Sequence, residues 1–407
     1  MDWAVIGLRA AVAATVLLPP ALLHGRAVAD ALMSVVALMF LLTCLRTRDW
    51  AWTGRLWVRL AAALWAWLVV CSVLHGNAHA QLEALVAFRM LLFAAALEAW
   101  ALEGAAARRW LLASYAAMAV WIAAQSWQQL LAGRNIFGDP RWGDGALTGP
   151  FDKPRAGGTF LAVFFPAVLP LALRRPGWIG LALLALAAAT MVLIGQRMPT
   201  LLMAFGLLIA AALTPRLRWP VLLALAAAAV VLALTPVFSP PTYQKLVLHF
   251  VEQIGHFWTS NYGQLYVRAL NMIAAAPLTG LGFDGFREHC LDAQYIHGAA
   301  WLGVADDAIN PAVGCNIHPH NYWLEIGTDA GLPGLALFAG IVWCWLARLY
   351  RGAAADPVRL ALFCATTVML WPLASTSSFF VADTGGLIVL TVGWGLAEAR
   401  KEASAAF

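Results

Sequence analysis

The chain has 407 residues, of which 62% are hydrophobic and only 12% are charged, and its formal net charge is +5. A mean hydropathy of +0.76 excludes an ordinary water-soluble globular protein, and no CxxC or His/Cys spacing indicates zinc. These values predict an all-α, polytopic integral membrane protein.

Apolar runs long enough to cross a bilayer, at roughly 20 residues each, recur along the whole chain. The first is interpreted as an uncleaved span, because it carries no convincing small-residue cleavage site. The sequence predicts about twelve transmembrane helices, at 3–22, 27–44, 57–75, 80–102, 109–132, 158–173, 177–194, 198–214, 219–237, 321–347, 357–374 and 379–397.

Two long gaps between these spans divide the chain into regions. The first region, 1–237, holds helices one to nine and a shorter Gly/Pro/Asp-rich loop at 133–157. The second, 238–320, is a large loop that is expected to be helical. The third, 321–407, holds the last three helices and a short tail.

The distribution of charged residues predicts the orientation, because short basic loops stay on the cytoplasmic side. With both termini cytoplasmic, most arginines fall in short inner loops and all nine histidines fall on the outer face. The positive charge is therefore a topology signal and does not indicate a nucleic-acid partner. We expect a multi-pass protein of the bacterial inner membrane whose active site faces the periplasm and uses an already activated substrate.

Cysteine usage leaves one question open. Cys290 and Cys315 share the large outer loop, where a disulfide is permitted, and both the bridged and the free form are compatible with the sequence. The others are interpreted as small buried hydrophobic residues.

Three arginines near the outer face are candidates for binding an anion. Arg197 follows an apolar run in "GQRMPT", Arg268 begins an amphipathic helix, and Arg89 lies within the fourth span. Guanidinium groups suit bidentate capture of phosphate or pyrophosphate. The alternatives are an interfacial arginine that reaches lipid phosphate, for Arg197, and a solvated helix arginine, for Arg268.

His320 is the candidate base. A neutral imidazole accepts a proton from a hydroxyl, and Pro319 followed by an apolar run places His320 near a helix N-terminus, on one face with Trp323, Leu324 and Gly327. The alternative is a packing or capping histidine, and His318 is the weaker candidate. Three glycines after it form a small-residue stripe that lets another backbone approach, at Gly327, Gly331 and Gly334.

Four stretches carry a family resemblance. "HNYWLEIGTDAGLPG" has the form His-Asn, nine residues, Gly-x-x-Gly, and it resembles the signature of the bacterial O-antigen ligase family, which includes O-antigen polymerases and protein O-oligosaccharyltransferases. Three further stretches resemble pieces of that family in the same order, namely "RALNMIAAAPLTGLGFDGF", "GPFDKPRAGGTF" and "GQRMPT".

The resemblance implies a GT-C-like glycosyltransferase that moves O-antigen polysaccharide from undecaprenyl diphosphate to lipid A–core oligosaccharide. It implies inversion, with no metal and no other cofactor. His320 matches the family's essential histidine, and Arg197 and Arg268 match its functional arginines. Arg89 is added to the donor site. Asn321, His318 and Asp383 are supporting residues, with Asp383 expected to pair with one of the arginines, to orient His320 or to cap the last helix.

Other functions stay open. A polymerase or a protein O-oligosaccharyltransferase would use the same donor with another acceptor, although a single dominant outer loop favours the ligase. A transporter or flippase for a lipid-linked anion would require charges or broken helices near mid-membrane in several spans. Apart from the two substrates, only membrane lipids are expected as partners.

Overall fold

The structure, a computed structural model, describes residues 3–175, 177–374 and 377–405. Residues 1–2, at the start of the predicted first region, residues 406–407, at the end of the last, and residues 176 and 375–376 lie outside the described residues. The described residues are almost entirely helical, and their two β-bridges, Arg134–Pro140 and Ala299–Val304, are isolated. The predicted all-α class is confirmed.

The α-helices follow one another with few long breaks. In chain order they are α1 (Trp3–His24), α2 (Arg26–Thr47), α3 (Leu56–His75), α4 (Ala78–Val86), α5 (Phe88–Ala96), α6 (Ala105–Ala132), α7 (Ala156–Arg174), α8 (Gly177–Ile194), α9 (Arg197–Leu213), α10 (Arg218–Phe238), α11 (Pro240–Tyr243), α12 (His249–Gly255), α13 (Asn261–Ala275), α14 (Gly285–His289), α15 (Tyr322–Tyr350), α16 (Pro357–Met369) and α17 (Gly385–Ala405).

Short turns of other helix types join some of them. π-turns cover Leu97–Ala101 and Gln244–Leu248, and 3-10 turns cover Ala51–Gly54, Pro215–Leu217, Phe257–Thr259, Ala293–Tyr295, Ala300–Leu302 and Asp306–Ala308. The fourth predicted span is thus α4, α5 and a π-turn in succession, and the last predicted span begins too early, because residues 379–384 precede α17.

The chain is a polytopic membrane protein. Within its described part, 8 helical segments are long and apolar enough to cross a membrane. Each of the twelve predicted spans falls on a helix, but α9 and α16 are shorter apolar helices, and α6 and α17 are not among the 8. The predicted number of twelve is therefore not established.

One continuous core holds the bundle together. It runs from Ala11 in α1 to Ala397 in α17, with Trp345 and Trp394 among its largest fully buried side chains. Burial differs sharply along the bundle: 72% of the most apolar stretch of α7 is buried inside the protein, against 17% of that of the segment containing α10. α7 is therefore central, whereas α10 lies at the periphery.

The two ends of the bundle are built differently. At one end, the buried carboxylate of Glu98 lies 2.9 Å from Arg55 and 3.1 Å from Arg348. At the other, α10 leads into α11 to α14, and the chain returns through His320 to α15. We call this second end the loop end. Arg55 and Arg348 come from different predicted inner loops and meet around Glu98, and the cytoplasmic location of this end stays a prediction.

Candidate active site

His320 lies immediately before the residue that caps α15. The Oδ1 of Asn321 accepts hydrogen bonds from the backbone N–H groups of Trp323 and Leu324, which is the N-cap arrangement. His320 has φ +54°, a left-handed conformation that is uncommon for residues other than glycine. The predicted position at a helix start is confirmed. The predicted shared helix face is wrong, because the chain turns at His320 before the helix begins.

Among the described residues, three side chains lie close to the His320 ring. Asn316 Nδ2 lies 3.0 Å from His320 Nε2, and the N–H of Ile317 donates to Asn316 Oδ1, which fixes the orientation of that amide. Because an amide nitrogen only donates, Nε2 accepts, and a neutral ring then carries its proton on Nδ1. The ring centres of His318 and Tyr262 lie 4.4 and 5.6 Å away. His320 therefore has its accepting nitrogen on the Asn316 side.

Arg197 is the first residue of α9, and its side chain reaches the large loop. Its Nε donates to the carbonyl of Lys245 at 2.8 Å, and Nη1 is hydrogen-bonded to the Oε1 of Gln253. Tyr262 and Asp144 lie within electrostatic reach of the guanidinium. Tyr262 therefore packs against His320 and lies within electrostatic reach of Arg197, so both predicted residues lie around the start of α13.

Arg268 is used differently. Only 2% of the residue is exposed, and its Nη1 and Nη2 donate to the carbonyls of Cys290 and Val313 at 2.7 and 2.8 Å. Gln264 and Asn271 are also buried on the same side of α13 and donate to loop carbonyls in the same way. Arg268 thus belongs to a polar seam that holds the loop on α13, and phosphate binding by it stays a prediction.

Two further predicted residues form ion pairs elsewhere. Arg89 is paired with Asp30 at 3.0 Å, which joins α5 to α2. Asp383 lies 3.3 Å from Arg155, and its Oδ1 accepts from the N–H of Thr384. Asp383 therefore pairs with an arginine outside the predicted trio, and a donor-site role for Arg89 stays a prediction.

The supporting residues join the helix start to its neighbours. Asn321 Nδ2 donates to the carbonyl of Pro372 at 2.7 Å, and the phenol of Tyr266 lies close to the Asn321 side chain. Burial raises the pKa of Tyr266, so its phenol stays protonated, and the interaction with the Asn321 side chain partly opposes this rise. His318 is buried, with 7% exposed. Asn321 is therefore both a cap and a tie between elements.

The turn after α13 docks into a break in α15. Gly331 has φ 64° and ψ −166°, which interrupts the helix. The N–H of Leu332 donates to the carbonyl of Pro277, and the N–H of Leu281 donates to the carbonyl of Thr328, at 2.8 and 2.7 Å. The Pro-x-x-Gly-x-Gly stretch and the Gly-x-x-Gly stretch thus form one interface.

Glycine is required on both sides of this interface. A Cβ on Gly280 would lie 2.6 Å from the backbone N of Ala330, and a Cβ on Gly331 would lie 2.6 Å from the carbonyl O of Leu278. A Cβ on Gly327 would lie 2.6 Å from the Ile273 side chain of α13. The expected close approach at the glycine stripe is confirmed.

A disulfide closes the segment that leads to His320. Cys290 and Cys315 are bridged, with their Cα atoms 5.2 Å apart, which decides between the two forms that the sequence left open. Cys315 is followed directly by Asn316, the partner of His320. The bridge and Arg268 therefore hold the same part of the loop.

Comparison with known proteins found a family match for part of the chain. Residues 182–339 match the family model described as O-antigen ligase. This match supports membership of the chain in the O-antigen ligase family. A comparison with curated proteins found no match.

The matched segment covers the site just described. It begins within α8 and ends within α15, so it includes Arg197, Arg268, His320 and the break at Gly331. Arg155 and Asp383 lie outside it. The family match and the geometry thus agree on the loop end.

Sequence reasoning missed four side chains of this site. Tyr262 and Tyr266 are four residues apart on α13, a spacing that places them on one face of a helix. Gln253 holds Arg197, and Asn316 holds His320. The tyrosine pair could have been found from its spacing, whereas the two amides lie in irregular segments without a periodic signal.

Proposed function

We propose that this protein is an O-antigen ligase of the GT-C type in the bacterial inner membrane. It takes O-antigen polysaccharide from undecaprenyl diphosphate and transfers it en bloc to a sugar hydroxyl of lipid A–core oligosaccharide on the periplasmic face, with both termini in the cytoplasm. The family match supports polymer transfer in general, and the choice of ligase is our own.

One observation carries the proposal. Arg197 begins α9 and His320 directly precedes the start of α15, far apart in sequence, yet Tyr262 packs against His320 and lies within electrostatic reach of Arg197. A guanidinium suits the charge of a diphosphate, and an imidazole suits proton removal from a hydroxyl. A transfer reaction needs both groups within reach of one glycosidic carbon.

His320 acts on the acceptor. The acceptor hydroxyl takes the place of the Asn316 amide at Nε2 and gives up its proton there, while its oxygen bonds to the anomeric carbon of the donor. The bond from that carbon to the phosphate oxygen breaks, and its electron pair leaves with undecaprenyl diphosphate. Attack opposite the leaving group inverts the anomeric centre.

Arg197 acts on the leaving group. Negative charge grows on the diphosphate as the bond breaks, and the Arg197 guanidinium neutralises it; such a contact is worth about 10²–10³ in rate. Lys245, next to it in the loop, adds a second cation that is balanced by Asp144. The charge in this region suits an anion.

The test is complementation of a bacterial host that lacks its own ligase. Wild type and His320→Ala are compared by lipopolysaccharide banding and by the amount of polymerised lipid-linked glycan. We expect wild type to restore the long ladder and His320→Ala to leave bare core while lipid-linked polymer accumulates. His256→Ala, an exposed loop histidine, is the matched control and should behave as wild type.

Other outcomes assign other functions. If a host that has its own ligase but lacks this protein makes core bearing a single repeat, the protein is a polymerase. Glycan on protein makes it a protein O-oligosaccharyltransferase, and loss of outer-leaflet donor makes it a flippase. A full ladder with His320→Ala, at equal membrane levels, removes His320 from the chemistry.

A further inference from the structure

A cavity of about 340 Å³ lies at the loop end, between the C-terminus of α1, the loop before α7 and the segment before α17. Its volume is within the usual range of small-molecule sites. None of the residues proposed above for catalysis lines it.

The cavity wall contains a group of rings. His24 lies with its ring centre 5.9 Å from Phe137 and 6.2 Å from Phe151. The indole N–H of Trp121 donates to His24 Nε2 at 3.0 Å, so a neutral His24 carries its proton on Nδ1. The wall thus offers aromatic faces together with a hydrogen-bond donor.

The charged lining has more acids than bases. Three carboxylates, Asp139, Asp152 and Asp383, face two guanidiniums, Arg26 and Arg155. Arg155 and Asp383 are paired with each other. Arg26 and Asp152 make no side-chain hydrogen bond or ion pair to any described residue, so both are available to a ligand. The excess of negative charge disfavours a phosphate group and favours hydroxyl donors.

The loop that shapes the cavity is fixed from inside. Buried Gln129 donates to the carbonyls of Asp139 and Pro140, and buried Asn135 donates to the carbonyl of Gly149 at 2.8 Å. Asn135 Oδ1 accepts from the N–H groups of Phe137 and Asp139, at 3.0 and 2.8 Å. Two buried amides therefore hold the residues that line the cavity, which is the organisation expected of a preformed site.

The cavity also adjoins the candidate active site. Pro154, next to Arg155, accepts a hydrogen bond at its carbonyl from Gln196, the residue before Arg197. On the other side, the segment before Asp383 is joined to α15, because the N–H of Phe379 donates to Glu325. One wall thus leads to Arg197 and the other to the helix that begins after His320.

We infer that this cavity binds a neutral sugar ring. Carboxylates and guanidiniums accept from and donate to sugar hydroxyls, and the C–H faces of the ring pack on Phe137 and Phe151. That the sugar belongs to the donor or acceptor glycan rests on the proposed function; the sugar site itself does not.

Saturation-transfer NMR tests the binding. The protein is placed in lipid nanodiscs, because glycosidic detergents would compete, and is exposed to methyl glucoside, methyl N-acetylglucosaminide and glucose 6-phosphate. We expect millimolar binding of the neutral glycosides, at least fivefold weaker in Phe137→Ala and in Asp152→Asn, with the phosphate binding more weakly. Trp301→Ala and Asp307→Asn, exposed residues of the large loop, are the matched controls.

Two results would overturn the inference: equal signals in all variants, or tighter binding of glucose 6-phosphate than of the neutral sugars. Transfer assays of the same variants identify the source, since a raised KM for one glycan alone assigns the cavity to that glycan. Transfer by wild type without sugar binding leaves the proposed function standing and removes this site. Sugar binding without transfer supports the sugar site and removes the proposed function.

Discussion

The two flanks of α13 carry polar side chains in different surroundings. Tyr262 and Tyr266 point towards His320 and Asn321, whereas Gln264, Arg268 and Asn271 are buried against the loop. At about 3.6 residues per turn, the two sets face nearly opposite directions. An arginine in a family motif, such as Arg268, can therefore serve to hold a loop in place. The side of the helix on which it lies decides whether it faces the loop or the candidate site.

Arg268→Ala is expected to have the largest effect, and on stability. It leaves two buried carbonyls without donors, at about 1–3 kcal/mol each. We expect lower membrane levels and a clearly reduced Tm, with transfer falling in proportion to folded protein. Arg287→Ala, a half-exposed arginine of the same loop, is the control. Normal Tm with lost transfer would move Arg268 to the catalytic flank and break the comparison.

Arg197→Ala is expected to reduce transfer by about 10²–10³ while leaving Tm nearly unchanged, because the guanidinium acts on the leaving group. Arg197→Lys keeps the charge but loses the fork geometry, and it should recover only part of the rate. Both are measured with purified donor and acceptor. Equal losses of Tm in Arg197→Ala and Arg268→Ala would mean that both arginines are structural.

Asn321→Ala removes a helix cap, which costs about 1 kcal/mol, and also the tie to Pro372. Asn321→Asp keeps the capping oxygen and loses only the Nδ2 donor, so it separates the two roles. We expect reduced Tm in the first variant and near-normal Tm with reduced transfer in the second. Identical behaviour of the two variants would contradict a separate positioning role.

Tyr262→Phe should have the smallest effect, a few-fold loss of transfer, because the ring edge against His320 remains and only the phenol near Arg197 is removed. Tyr262→Ala, which also removes the ring, should lose more. Tyr350→Phe, at the far end of α15, is the control. Full activity of Tyr262→Ala would show that transfer does not depend on Tyr262.

The sequence was informative where local patterns determine structure. Hydrophobic runs located the helices, and Pro319 with the apolar run after it located the start of α15. The partners of Arg268 and Asp383 were out of reach, because they depend on which segments return to meet α13 and α17. The break at Gly331 was also missed, since a glycine that permits close packing and one that changes direction look alike in sequence.

The break in α15 gives that helix two mechanical halves. The half towards Tyr350 is set in the core through Trp345, and the indole N–H of Trp67 donates to the carbonyl of Ala330 just before the break. The half that begins at Tyr322 is bound instead to the turn after α13 and to the segment before α17. Gly331 therefore sets the direction of this half of α15, and with it the position of His320.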